Sequence, residues 1–183
     1  MTRDASALTA GLESNSDPDQ LALVARALVS QSDALLDRDS PGEALEILDL
    51  VIAGLSRHAE RESKKVTALA LASKSVALNR LGRDDAMLPF ETMTDHYAAE
   101  ALAAFDEEAT RLWSAVTPLQ LKRLAWALLT EAMILSALER RSESQAVLKQ
   151  LLDRFDGRNS PAVGDTVEAA HRLLRQLSHP EPN

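Results

Sequence analysis

The chain has 183 residues, of which 45% are hydrophobic and only 3% aromatic, and alanine and leucine together make up one third of it. This composition favours helices and excludes a protein built on a β-sheet, because β-branched and aromatic residues are few. The absence of cysteine excludes a disulfide framework and a thiolate zinc site, and the net charge of −8 disfavours a surface for nucleic acid or anionic membranes.

The first part of the chain differs from the rest. Residues 1–19 are polar and have no long apolar stripe, so we predict a disordered N-terminal tail. We expect one helical domain over residues 20–178, followed by a short tail at residues 179–183. Because the sequence shows neither the apolar core of a signal peptide nor an apolar run that could span a bilayer, we expect a cytoplasmic protein without a membrane partner.

Proline and glycine divide this domain into amphipathic segments that have the period of a helix. The predicted helices are, in chain order, 20–38, 41–57, 61–81, 84–116, 118–139, 142–155 and 161–178. Ser40, Thr117 and Ser160 each precede a proline, which is the pattern of an N-cap residue followed by proline in the first helical position. The last segment carries an apolar stripe and an opposite polar face, which predicts a C-terminal capping helix.

One spacing of small and large apolar residues recurs along the chain. A small residue on each of two successive helices is flanked by larger apolar ones, which lets the two backbones approach closely. The first helix pair has Leu28, Ser32, Leu35, Ala44, Leu48, Val51 and Leu55; the next repeats the start as Leu71, Ser75 and Leu78; and the last has Leu128, Ala132, Leu135, Ser144, Leu148, Leu151 and Phe155.

The segment 84–116 is about 14 residues longer than this spacing needs. Two registers fit its second helix, one through Ala86, Phe90, Met93 and Tyr97 and the other through Ala101, Phe105 and Leu112. We therefore predict two helical pieces, 85–96 and 98–115, with a break near Asp95. The first piece folds back as core, meets a partner chain or lids the groove near Trp126, and its apolar residues are Met87, Leu88, Phe90 and Met93.

This spacing resembles that of the tetratricopeptide (TPR) repeat over roughly residues 20–156. The stretch Ala77–Arg83 is similar to the usual end of a TPR first helix, and Gly42–Glu46 is similar to the usual start of its second helix. The sequence departs from the family pattern in its aliphatic residues at aromatic positions and in its longer period. The resemblance implies an all-α, right-handed array of about three antiparallel helix pairs, with one inserted helix and the capping helix.

The resemblance also implies a function, because TPR proteins bind extended peptides or partner helices along the first helix of each pair. The residues at the corresponding positions of this chain, together with two residues of the inserted segment, are the candidate partner-binding residues. We call them the groove residues. They are Val29, Asp33, Leu69, Ala72, Val76, Phe90, Met93, Trp126, Leu129 and Met133. We expect a non-catalytic protein–protein interaction or assembly module with an apolar concave groove. A protein or peptide is the expected partner, and a homodimer is possible.

Other readings of these residues remain open. The apolar groove residues could be buried by the inserted helix or by a dimer partner, and the domain could instead be a regulatory domain that senses a small molecule. Because the histidines are scattered, the acidic clusters face different ways and no glycine-rich loop is present, we expect no enzyme, no metal site and no cofactor. The basic run from Arg57 to Lys65 is interrupted by glutamates, which disfavours nucleic-acid binding.

Overall fold

The computed structural model describes residues 17–114, 116–155, 157 and 163–178. All the regular structure in these residues is helical, as the composition predicts. The seven helices are α1 Pro18–Asp37, α2 Pro41–Leu55, α3 Arg61–Arg80, α4 Leu88–Leu112, α5 Pro118–Ala137, α6 Arg141–Phe155 and α7 Gly164–Ser178. Most of the predicted N-terminal tail (residues 1–16 of 1–19), the predicted tail at residues 179–183 and the predicted cap at Ser160 lie outside the described residues. The prediction of disorder is wrong for residues 18 and 19, which belong to α1 because Asp17 caps the helix before them.

Proline begins three of these helices. Asp17 and Thr117 cap α1 and α5, and their side chains accept hydrogen bonds from the backbone N–H groups of Asp19 and Gln120. The cap at Thr117 is therefore confirmed. Ser40 also precedes a helix-starting proline, but its side chain makes no capping hydrogen bond. Helix α1 begins at Pro18, two residues before the predicted start.

Helices α1, α3 and α5 end in the same turn. In each, a leucine carbonyl in the last turn accepts a hydrogen bond from the backbone N–H five residues later, which is the Schellman arrangement. The three bonds run from Ser40 to Leu35 at 2.9 Å, from Arg83 to Leu78 at 3.1 Å and from Arg140 to Leu135 at 2.9 Å. The residue before each donor has a positive φ: 58° at Asp39, 66° at Gly82 and 59° at Glu139. Only the glycine takes this conformation without steric cost.

The helix pairs α1–α2 and α5–α6 have identical layouts. All four helix boundaries of the second pair lie 100 residues after those of the first. The small residues of the predicted spacing are fully buried in both pairs, namely Ser32, Ala44, Ala132 and Ser144. In the second pair, the Ser144 hydroxyl donates a hydrogen bond of 2.7 Å to the Ala132 carbonyl of the facing helix. The recurring spacing therefore corresponds to a recurring helix-pair structure.

The contacts within the chain divide it into two compact units, Met1–Ala101 and Leu102–Asn183. The single domain expected over residues 20–178 stays a prediction. In the first unit, α1, α2 and α3 pack on one another around a core of buried apolar residues. Its best-buried large side chains include Leu21, Leu28, Leu48 and Leu55.

The second unit has the same arrangement of packed helices. Helices α5, α6 and α7 pack on one another, and Ala109 and Leu112 from the end of α4 join their core. Helix α7 contributes one buried residue, Ala170, and a stripe of half-buried ones. Its other face is exposed, as the prediction of a capping helix requires.

Helix α4 is interrupted at Tyr97, where φ is −133° and ψ is 16°. The break predicted near Asp95 is confirmed, two residues further along the chain. The residues of both predicted registers are buried, with one exception: Ala86, Phe90 and Met93 lie before the break, and Ala101, Phe105 and Leu112 lie after it. The exception is Tyr97, which lies at the break and is half-buried. The two halves of α4 therefore each supply residues to a core.

Candidate functional site

The groove residues of the first unit are buried or half-buried. Val29 and Ala72 are buried, whereas Leu69 and Val76 are half-buried and pack against the core of α1, α2 and α3. Asp33 accepts a hydrogen bond of 2.8 Å from the buried hydroxyl of Ser73 on α3. None of these five side chains forms an open apolar surface.

Polar contacts join α1 to α3 along this face. The guanidinium of Arg26 lies 3.4 Å from the Glu62 carboxylate at one end, and the Arg80 guanidinium donates to the Leu36 carbonyl at the other. Between them lies the hydrogen bond from Ser73 to Asp33. The face that the TPR resemblance assigns to a partner is thus occupied by contacts within the chain.

The inserted segment divides into an inner and an outer part. Met93 is fully buried and Phe90 is 9% exposed, so both pack inside the chain. Met87 and Leu88, just before them, are more than half exposed. The Ser75 hydroxyl donates a 2.6 Å hydrogen bond to the Ala86 carbonyl and so fixes the start of the segment on α3. The core alternative accounts for Phe90 and Met93, and only Met87 and Leu88 are free to meet a partner.

In the second unit, Trp126, Leu129 and Met133 are half-buried on α5. The Trp126 ring meets the Phe105 ring edge-on, with 5.4 Å between the ring centroids and 75° between the planes. Leu129 packs against the core of α5, α6 and α7. The Trp126 ring therefore joins α5 to α4 in this unit, and part of each of the three side chains remains accessible.

A half-buried carboxyl group lies on the same helix. Burial raises the pKa of Glu131 to about 7, and the negative charge of Asp106 on α4 adds to the rise. Glu131 is thus partly protonated near neutral pH. No sequence signal marks this residue, because a lone glutamate in an apolar helix has no motif around it.

Large exposed apolar side chains concentrate in two interhelix connections. The first connection, residues 81–88, includes the first residue of α4 and carries Leu81, Met87 and Leu88, which are 43%, 52% and 58% exposed. The second connection, which comprises residues 113, 114 and 116–119 and so includes the first two residues of α5, carries Trp113, Val116 and Leu119, which are 42%, 81% and 53% exposed. Elsewhere in the described chain, the only large hydrophobic side chains that are exposed are those of Leu23 and Leu50. Contiguous exposed apolar residues mark interaction surfaces more often than scattered ones do.

Arg154, at the end of α6, holds the second connection. Its guanidinium donates a 2.6 Å hydrogen bond to the Trp113 carbonyl and lies 4.9 Å from the centre of the Trp113 ring. The Phe155 ring flanks it at 5.9 Å. This contact orients the indole ring, which remains 42% exposed. The sequence spacing did not reveal it, because the two residues are 41 positions apart.

Several residues of the basic run and the acidic clusters are engaged in ion pairs. Lys64 and Lys65, in the basic run, contact Glu100 and Glu62. Glu108 of the acidic cluster contacts both Arg111 and Arg123. Within the described residues, no group of three or more metal-ligating side chains is close enough to hold a metal ion. No described helix combines the length and apolarity needed to cross a membrane.

Comparison with known proteins finds no matching family model, no matching curated protein and no matching solved structure. The resemblance to the TPR repeat therefore depends on the spacing of residues within this chain.

Proposed function

We propose that this protein is a non-catalytic module for protein–protein interaction or assembly, built as a TPR-like right-handed array of helix pairs. The repeated layout of α1–α2 and α5–α6 supports this proposal. Proteins made of repeated helix pairs stack a small unit to bury a continuous core, and they use the extended surface that results to bind partners. We include in the proposal the cytoplasmic location and the protein or peptide partner that the sequence predicts.

The observation that carries the proposal is the concentration of exposed apolar side chains in the first and second connections. Six of the eight large exposed hydrophobic residues in the described chain lie there. Leaving apolar side chains in water costs stability, so clusters of them are typical of surfaces that a partner covers. The half-buried groove residues remain further candidates for contact.

Co-purification with quantitative mass spectrometry tests the proposal. The native chain is compared with Met87→Ser and Trp113→Ser, which remove one exposed anchor from each connection. Leu23→Ser is the matched control, because Leu23 is 70% exposed but lies in the middle of a helix surface. We expect specific partners to be lost with a connection variant and retained with the control. Equal recovery with all four chains would contradict the proposal.

A regulatory domain that senses a small molecule is the second candidate. Glu131 favours it, because a half-buried carboxyl group with a pKa of about 7 beside apolar residues is typical of a ligand site. Melting with a panel of metabolites distinguishes the two candidates, since a bound ligand raises the melting temperature by mass action. If a metabolite raises the melting temperature of the native chain but not of Glu131→Gln, the sensing role is favoured.

A further inference from the structure

The second connection has a composition that limits what it can bind. From Ala109 to Leu121 the sequence contains one charged residue, Arg111, and that residue is paired with Glu108. The three exposed side chains of the connection are Trp113, Val116 and Leu119. The large side chains that the described part of the connection exposes are therefore apolar, and the connection carries no negative charge of its own.

A cation borders this apolar surface. Arg154 contacts the Trp113 carbonyl and the faces of two aromatic rings, and within the described residues no carboxylate pairs with it. Its Nε is shielded from solvent and meets no acceptor there. The charge of the guanidinium is thus stabilised by a carbonyl dipole and two aromatic rings, and no carboxylate in the described part of the chain neutralises it. A carboxylate brought to this position would form a charge-assisted hydrogen bond with the exposed part of the group.

The size of the surface indicates the kind of partner. The exposed parts of the three side chains amount to on the order of 300 Å². A stable interface between two globular faces needs about 800 Å² from each partner. The connection is therefore too small for a dimer face but matches a short segment anchored by a few side chains, and tryptophan is among the residues that most often carry the binding energy.

We propose that the second connection docks a short peptide segment of a partner protein in which a carboxylate accompanies apolar side chains. The apolar side chains cover Trp113, Val116 and Leu119, and the carboxylate pairs with Arg154. This inference rests on the proposed interaction function and adds to it the chemistry of the partner at one of the two connections.

The charge at the site is tested first, in the full chain with Trp126→Phe, which leaves Trp113 as the single tryptophan. Each ion's quenching constant is first divided by its value for free N-acetyltryptophanamide, because iodide quenches any indole more efficiently than caesium does. After this normalisation, iodide should quench Trp113 fluorescence about twofold more than caesium, because a cation next to the ring attracts the anion. Arg154→Gln should abolish this preference. Equal normalised quenching by the two ions with Arg154 present would contradict an available positive charge and overturn the proposal.

The partner chemistry is tested by selecting short random peptides, displayed on phage, on the immobilised full chain. We expect enrichment of peptides that combine aspartate or glutamate with large apolar residues. Trp113→Ala should weaken their binding about thirtyfold, and Leu23→Ala should leave it unchanged. Arg154→Gln should weaken an acidic peptide about tenfold but have no effect on the same peptide with glutamine in place of the acid. This coupling separates recognition from any structural effect of losing Arg154.

The remaining outcomes are distinct. Enrichment of neutral or basic peptides would overturn this inference and leave the interaction function standing. A blue shift of Trp113 fluorescence that grows with protein concentration, without peptide, would show that a second copy covers the site and would also overturn it. Failure to enrich any peptide above the background of uncoated support would contradict both the inference and the proposed function at this surface.

Discussion

Replacing Ala44 with aspartate tests whether this residue is buried between two helices or exposed at the start of a helix. The two alternatives predict changes of opposite sign in the free energy of unfolding. Ala44 lies near the N-terminus of α2, where an exposed acid would gain about 0.3–1 kcal/mol from the helix dipole. The structure instead buries Ala44 completely in the core of the first unit. The account therefore predicts destabilisation where helix propensity alone predicts a small gain.

The magnitude follows from two costs. A carboxyl group buried without a partner costs about 2–4 kcal/mol, even when it takes up a proton. Fitting a side chain larger than a methyl group into the close contact of two helices adds about 1–3 kcal/mol. The sum is a large fraction of the 5–15 kcal/mol that stabilises a typical domain. At about 2–4 °C per kcal/mol for a chain of this length, we expect the melting temperature to fall by about 10 °C or more.

Urea unfolding followed by circular dichroism measures this loss. Ala59→Asp is the control, because Ala59 is exposed in the connection between α2 and α3 and should change stability by no more than about 0.5 kcal/mol. A loss below 1 kcal/mol for Ala44→Asp, or any gain, would refute the assignment of Ala44 to the contact between helices.

Three further changes have defined outcomes. Glu139→Gly should raise the free energy of unfolding by about 1 kcal/mol, because glycine adopts the positive φ at this position without strain; an unchanged thermal unfolding curve would contradict this. Changing Phe90 and Met93 together to serine should cost several kcal/mol, since each large-to-small change in a core costs about 2–5 kcal/mol; unchanged urea unfolding with a change in sedimentation would instead place them at an interface. Glu131 has its pKa raised above the value of 4.5 that an unfolded chain has, so the folded chain holds the extra proton between about pH 4.5 and 7 and loses stability as pH rises through that range. Glu131→Gln should remove this dependence of stability on pH and, after allowance for solvent screening, stabilise the chain by about 1 kcal/mol above pH 7. The melting temperature measured across this pH range tests the prediction. If the melting temperature of the variant falls as much as that of the native chain, another group is responsible.

The helices could be predicted from the sequence because their determinants are local. Prolines and glycines at segment ends gave the boundaries to within a few residues, and the apolar period gave the buried face of each helix. The recurring spacing also located the buried small residues, such as Ala44 and Ser144, since close backbone approach requires them on both helices of a pair.

The solvent exposure of the groove residues could not be predicted in the same way. A TPR position says which face of a helix a residue occupies, but the polar contacts that close α1 onto α3 join residues 36 to 44 positions apart. The exposure of Trp113 was missed for a related reason. It follows the end of α4, where helical periodicity no longer fixes the direction of a side chain, and its neighbour Arg154 comes from a distant helix.

The most direct test of the interaction function uses a photo-activated cross-linking amino acid at Val116, which is 81% exposed in the second connection. The same amino acid at Leu23, exposed to a similar degree on α1, is the control. The account predicts that illumination of living cells joins the chain to another protein from position 116 and not from position 23. Adducts of equal yield at both positions, or none from position 116, would contradict it.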